Sequence, residues 1–238
     1  MRTAIIFGLF LILLTSFISA DILITQDPES FYNLGDVIDM SIKVTSLSEI
    51  NNFLTMSLIC NGIETEVHKE YILLSAGEEK ESEIKIPLIS SFAGQTSGTC
   101  TIKSTIGEEF ILTDEFKISN SLTVELIDQT TEVSPGGEII IEGSAKRATG
   151  DNAEGFIEAK IIMNEVERIS TLDTINKGYF KLNISIPEDI AAGDYLIKLE
   201  GYEKDIEDSV TNTGFTSYSA TINQVPTSLE ISFEETEI

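Results

Sequence analysis

Residues 187–201 read PEDIAAGDYLIKLEG, and the reading of this stretch decides the fold. Upstream, Phe180, Leu182, Ile184 and Ile186 alternate with Tyr179, Lys181, Asn183 and Ser185. A period of two is that of a β-strand with one face buried. Pro187 ends that strand. Downstream, Tyr195, Ile197 and Leu199 alternate with Asp194, Leu196, Lys198 and Glu200, so a second half-buried strand follows the turn. By this alternation Tyr195 faces inward, two residues after Gly193.

The same pattern extends in both directions. Leu122, Val124 and Leu126 open the segment, and Ser134-Pro135-Gly136-Gly137 is a tight turn into Ile139 and Ile141. A loop, Thr149 to Gly155, then precedes Ile157, Ala159, Ile161 and Met163. Residues 120–223 make one domain by this reading. Residues 21–118 make another, with strands carried by Ile38, Met40, Ile42 and Val44, by Leu54, Met56, Leu58 and Cys60, and by Ile84, Ile86 and Leu88. Glu78-Glu79-Lys80-Glu81 reads as a charged connection, and Phe110, Leu112 and Phe116 as the closing strand. Gly98-Thr99-Cys100-Thr101-Ile102 repeats the spacing of Gly193 to Ile197, which places Cys100 at the tyrosine's position and Cys60 at that of Met163. Residues 225–238 resemble the start of a third copy: Leu229, Ile231 and Phe233 share one face, and an isolated strand of this kind is unstable alone. Of disorder, pairing to a sheet edge and donation to another copy, disorder is expected, because Glu234, Glu235 and Glu237 oppose edge pairing on an acidic protein.

The Gly193 to Ile197 corner resembles the tyrosine corner of immunoglobulin-like domains. With the Pro-Gly turn and the Asp/Asn/Gly loop, the chain resembles the immunoglobulin-like and macroglobulin-type repeats of prokaryotic, in particular archaeal, secreted and surface proteins. The resemblance implies an all-β fold of tandem immunoglobulin-like β-sandwiches. It rests on turn and core residues, and so implies an architecture more than an activity. The Gly-Cys-Gly-Glu-Gln type motif of thioester-bearing macroglobulins is missing, so protease trapping does not carry over.

Met1 and Arg2, an apolar Ala4 to Leu14 and the small-residue site Ile18-Ser19-Ala20 read as a signal peptide over residues 1–20, with cleavage after Ala20. An uncleaved anchor is the competing reading, since 17 residues from Ala4 to Ala20 barely span a bilayer. The expected address is therefore secreted, extracellular or in the cell envelope. Forty acidic against 15 basic residues give a net charge of -25 over 238 residues. Such a surface repels phosphate backbones and anionic lipid, so neither nucleic acid nor a membrane surface is an expected partner. Other surface or extracellular proteins are.

Cys60 and Cys100 fall on inward positions of strands in one domain and travel to an oxidising compartment, which predicts a structural disulfide. Two free buried thiols are the competing reading. His68 is the single histidine and lies on no recognisable motif. Catalytic triads, zinc spacings and phosphate-cradling glycine loops are not legible, so a non-enzymatic chain is expected. Asp151, Asn152 and Glu154 could offer oxygens to calcium, although such residues are first of all turn formers and no EF-hand spacing is present; no cofactor is otherwise expected. Asn183-Ile184-Ser185 is a glycosylation sequon on an outward position. Two functional classes follow: a spacer or adhesion protein, or a sandwich that binds a sugar or protein ligand on its end loops. The absence of tryptophan weakens the sugar reading.

Overall fold

The computed structural model describes residues 20–89, 91 and 97–224. Most of the expected leader and the whole of the expected third copy, 225–238, lie outside these residues. The chain is all-β and divides into two compact units, Met1–Asn120 with Asp205–Thr211, and Ser121–Lys204 with Asn212–Ile238.

In the first unit, β1 (Ala20–Gln26), β3 (Val37–Ser46) and β6 (Glu79–Pro87) form one antiparallel sheet in the order β1-β3-β6. Ala20, the last residue assigned to the leader, already pairs with Ser46 in β1. The second sheet runs β2-β9-β7-β4-β5, built from β2 (Phe31–Asn33), β4 (Ile50–Cys60), β5 (Ile63–Leu74), β7 (Gly98–Ile106) and β9 (Phe116–Ser119), with β8 (Glu109–Leu112) also paired to β7. Ile38, Met40 and Ile42 from one sheet meet Leu54, Met56, Leu58, Ile102 and Phe116 from the other in a single apolar core. Alternation along each strand is what supplies both layers with an inner face.

The second unit repeats the plan. β10 (Leu122–Gln129), β12 (Glu138–Arg147) and β15 (Tyr179–Ser185) form a sheet in the order β10-β12-β15. The larger sheet runs β11-β17-β16-β13-β14, from β11 (Glu132–Val133), β13 (Gly155–Met163), β14 (Val166–Ile175), β16 (Gly193–Lys204) and β17 (Val210–Ile222). Ile139, Ile141, Ile157, Ile161, Phe180, Leu182, Tyr195 and Ile197 belong to its core. In both units a short strand pairs in parallel with the closing strand, β2 with β9 and β11 with β17.

Two sequence expectations are corrected. Residues Glu79 to Glu81 are not a connection but the start of β6, in register with Thr45 to Lys43 of β3. Its charged side chains are paired: Lys43 Nζ, on the neighbouring strand, lies 2.6 Å from Glu79, and Lys80 Nζ lies 2.5 Å from Glu70 on β5 of the other sheet. The closing strand, read as one face of Phe110, Leu112 and Phe116, is broken into β8 and β9. Thr113 exchanges two bonds with the Ile102 backbone, its amide donating to the carbonyl oxygen and its Oγ1 accepting from the amide, both at 3.0 Å. The interruption leaves Phe110 and Leu112 facing out while Phe116 and Ile118 face in.

Candidate functional site

The expected disulfide is present. Cys60 and Cys100 stand directly opposite each other on the adjacent strands β4 and β7, both buried, and are bonded. The link therefore lies within one sheet and does not cross the core. Tyr195 occupies the matching place in the second unit, where its hydroxyl donates to the Ala191 carbonyl oxygen at 2.8 Å. Both strands open on a glycine with positive φ, 124° at Gly98 and 148° at Gly193, a conformation that other residues rarely adopt.

The remaining sequence candidates do not converge. Asn183 is exposed on β15, opposite Ile140. Asp151 accepts from the Thr149 hydroxyl at 2.9 Å, while Glu154 Oε1 accepts from the Lys177 amide at 2.9 Å. The Asn152 side chain packs where a Cβ at Gly178 would stand. Asp151 is thus bonded within its own loop and Glu154 to the turn between β14 and β15, and no group of three or more His, Cys, Asp and Glu side chains that could hold a metal ion gathers among the described residues. His68 lies on β5, opposite Met56.

A buried polar cluster escaped the sequence reading. Glu203 is 1 % exposed. Its two oxygens accept from Arg147 Nε at 3.1 and 2.9 Å, from the Asn212 amide at 2.8 Å and from the Glu154 backbone amide at 2.8 Å. A carboxylate so fully bonded is held in place by four donor contacts and is a structural anchor. The signal was present, since Glu203 continues the inward parity of Tyr195, Ile197 and Leu199; its partners are far away in sequence.

The outer side of the first unit's larger sheet presents aromatic, apolar and charged side chains to solvent. Because Leu54, Met56, Leu58 and Ile102 point inward, their neighbours along β4 and β7 point outward. Register then sets the rows: Tyr71 opposite Phe53; Lys69, Thr55, Thr105 and Phe110; Glu66, Ser57, Lys103 and Leu112. Phe53 and Tyr71 meet edge to face with centroids 5.5 Å apart, and Lys69 Nζ sits 4.9 Å from the Phe53 centroid. Lys103 Nζ lies 5.7 Å from the Phe110 ring and 3.4 Å from Glu64. Ammonium groups are attracted to these ring faces electrostatically.

The second unit carries a related arrangement. Phe156 stacks on Tyr202 at 5.4 Å, with Lys204 Nζ 5.8 Å from the Phe156 ring. Phe53 and Phe156 are equivalent, each lying seven residues before the end of its strand, at Cys60 and Met163. Further along that face Lys160 is held protonated above its usual range by its bond to Glu158.

No family model matches the chain, and no curated protein matches it. Solved structures that resemble part of it include the β-glucosidase from Listeria innocua in complex with glucose, 14 % identical over 43 % of this chain and 16 % of that one, with a TM-score of 0.36. A mutant of that enzyme in complex with laminaribiose is 16 % identical with the same coverage and a TM-score of 0.36. The match thus spans about one sixth of the length of those enzymes. Similarity at this level defines neither the fold nor an activity for this chain.

Proposed function

We propose that the chain is a non-enzymatic secreted or cell-surface protein whose tandem immunoglobulin-like sandwiches act as spacer and adhesion repeats. The observation that carries this reading is the repetition of one strand order in two units of a single chain. Repeated modules serve reach and multiple attachment better than they serve one convergent reaction centre. The disulfide fits an oxidising compartment. Among the described residues no helix is long and apolar enough to cross a membrane.

Expression of the whole reading frame in a secreting host tests the address. A product recovered outside the cytoplasm, with its amino terminus near Asp21, is the expected outcome. Retention of the intact chain inside the cell overturns it. A sugar-binding module is the second reading, favoured by the exposed Phe53 and Tyr71 pair. Saturable, low-millimolar or tighter binding on a glycan array would select it over the spacer.

A further inference from the structure

We infer that the outward face of β4, β5, β7 and β8 is a self-association face, and that its occupant is the same face of a second copy of this chain. The inference goes beyond the proposed role and concerns only the first unit.

Five large apolar or aromatic side chains share this face, all about half exposed or more: Phe53 48 %, Tyr71 49 %, Leu73 60 %, Phe110 60 % and Leu112 48 %. They stand at the two margins of one sheet face, Phe53, Tyr71 and Leu73 on β4 and β5 and Phe110 and Leu112 on β8, and large apolar groups left exposed together in this way mark an interaction site. Three strands of about ten residues and the short β8, at about 4.8 Å spacing, cover roughly 550 Å². That approaches the ~800 Å² each partner contributes to a stable interface.

Charge selects the partner. The chain as a whole carries -25, yet this face holds Lys69 and Lys103 against Glu64 and Glu66 and is locally balanced. It is thus a surface through which two strongly acidic copies can meet without opposed like charges. The register also makes the face complementary to itself. A two-fold axis along the strands lays β5 of one copy over β8 of the other and β4 over β7. Lys69 and Tyr71 then meet Phe110, Leu112 meets the aliphatic part of Glu66, and Lys103 comes within reach of the opposing Glu66 carboxylate. The rows of small hydroxyl residues, Thr55, Ser57 and Thr105, lie at the centre and let the bulkier margins interlock.

Net charge gives the contact a distinctive salt response. Long-range repulsion between acidic copies is screened above about 0.1 M salt, while the apolar contact persists, so association tightens as salt rises. The test is sedimentation velocity on the full exported chain from micromolar to millimolar protein, at about 20 mM and about 500 mM sodium chloride. A dimer favoured by the higher salt is expected. Phe53→Ser and Phe110→Ser should each weaken it roughly tenfold or more, with only a small fall in melting temperature, because each ring is about half exposed or more and its loss removes contacts to strand neighbours alone. Lys103→Glu should weaken it, and adding Glu66→Lys should restore it. A monomer under every condition overturns the inference, as does a dimer indifferent to both serine variants. So does a monomer that binds laminarin, included as a neutral glycan probe, in a manner abolished by Phe110→Ser, which would make the face a sugar platform. None of these results depends on where the chain is exported, so the address and the interface fail separately.

Discussion

Two tyrosines of the second unit place their hydroxyls in opposite circumstances. Tyr195 is 2 % exposed and its hydroxyl is bonded to the Ala191 carbonyl oxygen. The Tyr218 hydroxyl is buried without a partner among the described residues, and burial pushes its phenol pKa up. Removing a bonded buried hydroxyl orphans its acceptor, at a cost of about 1–3 kcal/mol, whereas removing an unbonded one relieves a desolvation cost. Tyr195→Phe should therefore lower the denaturant midpoint of the second unit, and Tyr218→Phe should hold or raise it. Equal losses in the two variants would contradict this contrast. Glu203 raises the stakes, since Glu203→Ala takes a buried acceptor from Arg147, the Asn212 amide and the Glu154 backbone together. Breaking a buried pair from one side costs about 3–5 kcal/mol, and the lower end applies because Arg147 keeps a quarter of its side chain in solvent. Chemical denaturation of the variant measures it, and a loss below about 1 kcal/mol would mean that the cluster is dispensable. Parity along β16 made the inward position of residue 203 legible. What satisfies its charge depends on strands β12 and β17, which no local pattern connects to it.

At the level of elements, the two edge hairpins are the instructive pair. The β4–β5 turn is Asn61-Gly62, with φ of 50° and 82°; the β13–β14 turn is Asn164-Glu165, with φ of 51° and 64°. Both are two-residue turns with both central residues left-handed, the type whose twist matches the strands it joins. Glutamate pays about 1–2 kcal/mol to enter that region and glycine does not. Glu165→Gly is expected to stabilise the second unit by about 1 kcal/mol, read as a higher melting temperature, while Gly62→Glu should destabilise the first by a similar amount. No change on Glu165→Gly would show that the turn is free to relax. The Asn-Gly pair was a readable hairpin signal, yet β5 and β14 were not anticipated. Only Ile72 and Leu74 are buried in β5 and only Ile175 in β14, so their remaining positions, charged or polar for the most part, carry no period of two. Charged residues along β5, Glu64, Glu66, Lys69 and Glu70 among them, discourage another chain from adding as a strand at this edge, while Tyr71 and Leu73 lie on its outward face. The central strands, packed on the core, had no such freedom, and their alternation placed Ile38, Leu54, Ile157 and Ile197 correctly on inner faces.

Over the whole molecule, two sandwiches of one strand order solve the covalent problem differently. The first unit holds the disulfide, while at the equivalent positions of the second stand Met163 and Tyr195, neither of which can cross-link. Position in the repeat was legible because Cys100 and Tyr195 each follow a strand-opening glycine by two residues. The outward aromatic face was not, because it is assembled by register among β5, β4, β7 and β8, and register between distant strands leaves no trace in any one of them. Each unit has its own core, and only one has a cross-link, so reduction should act on one alone. The bond joins residues 40 apart. In the chain-entropy model, closing a loop of that size removes freedom from the unfolded chain worth about 4 kcal/mol, of which native strain and residual structure leave less. Calorimetry with and without a strong reductant at neutral pH should therefore shift one transition down by many degrees and leave a second in place. Cys60→Ala with Cys100→Ala should reproduce the shift without reductant, which separates loss of the link from any effect of reductant on the solvent. If both transitions fell together, the two units would be unfolding as one cooperative body. If neither moved, the unfolded first unit would already be as restricted without its disulfide as with it.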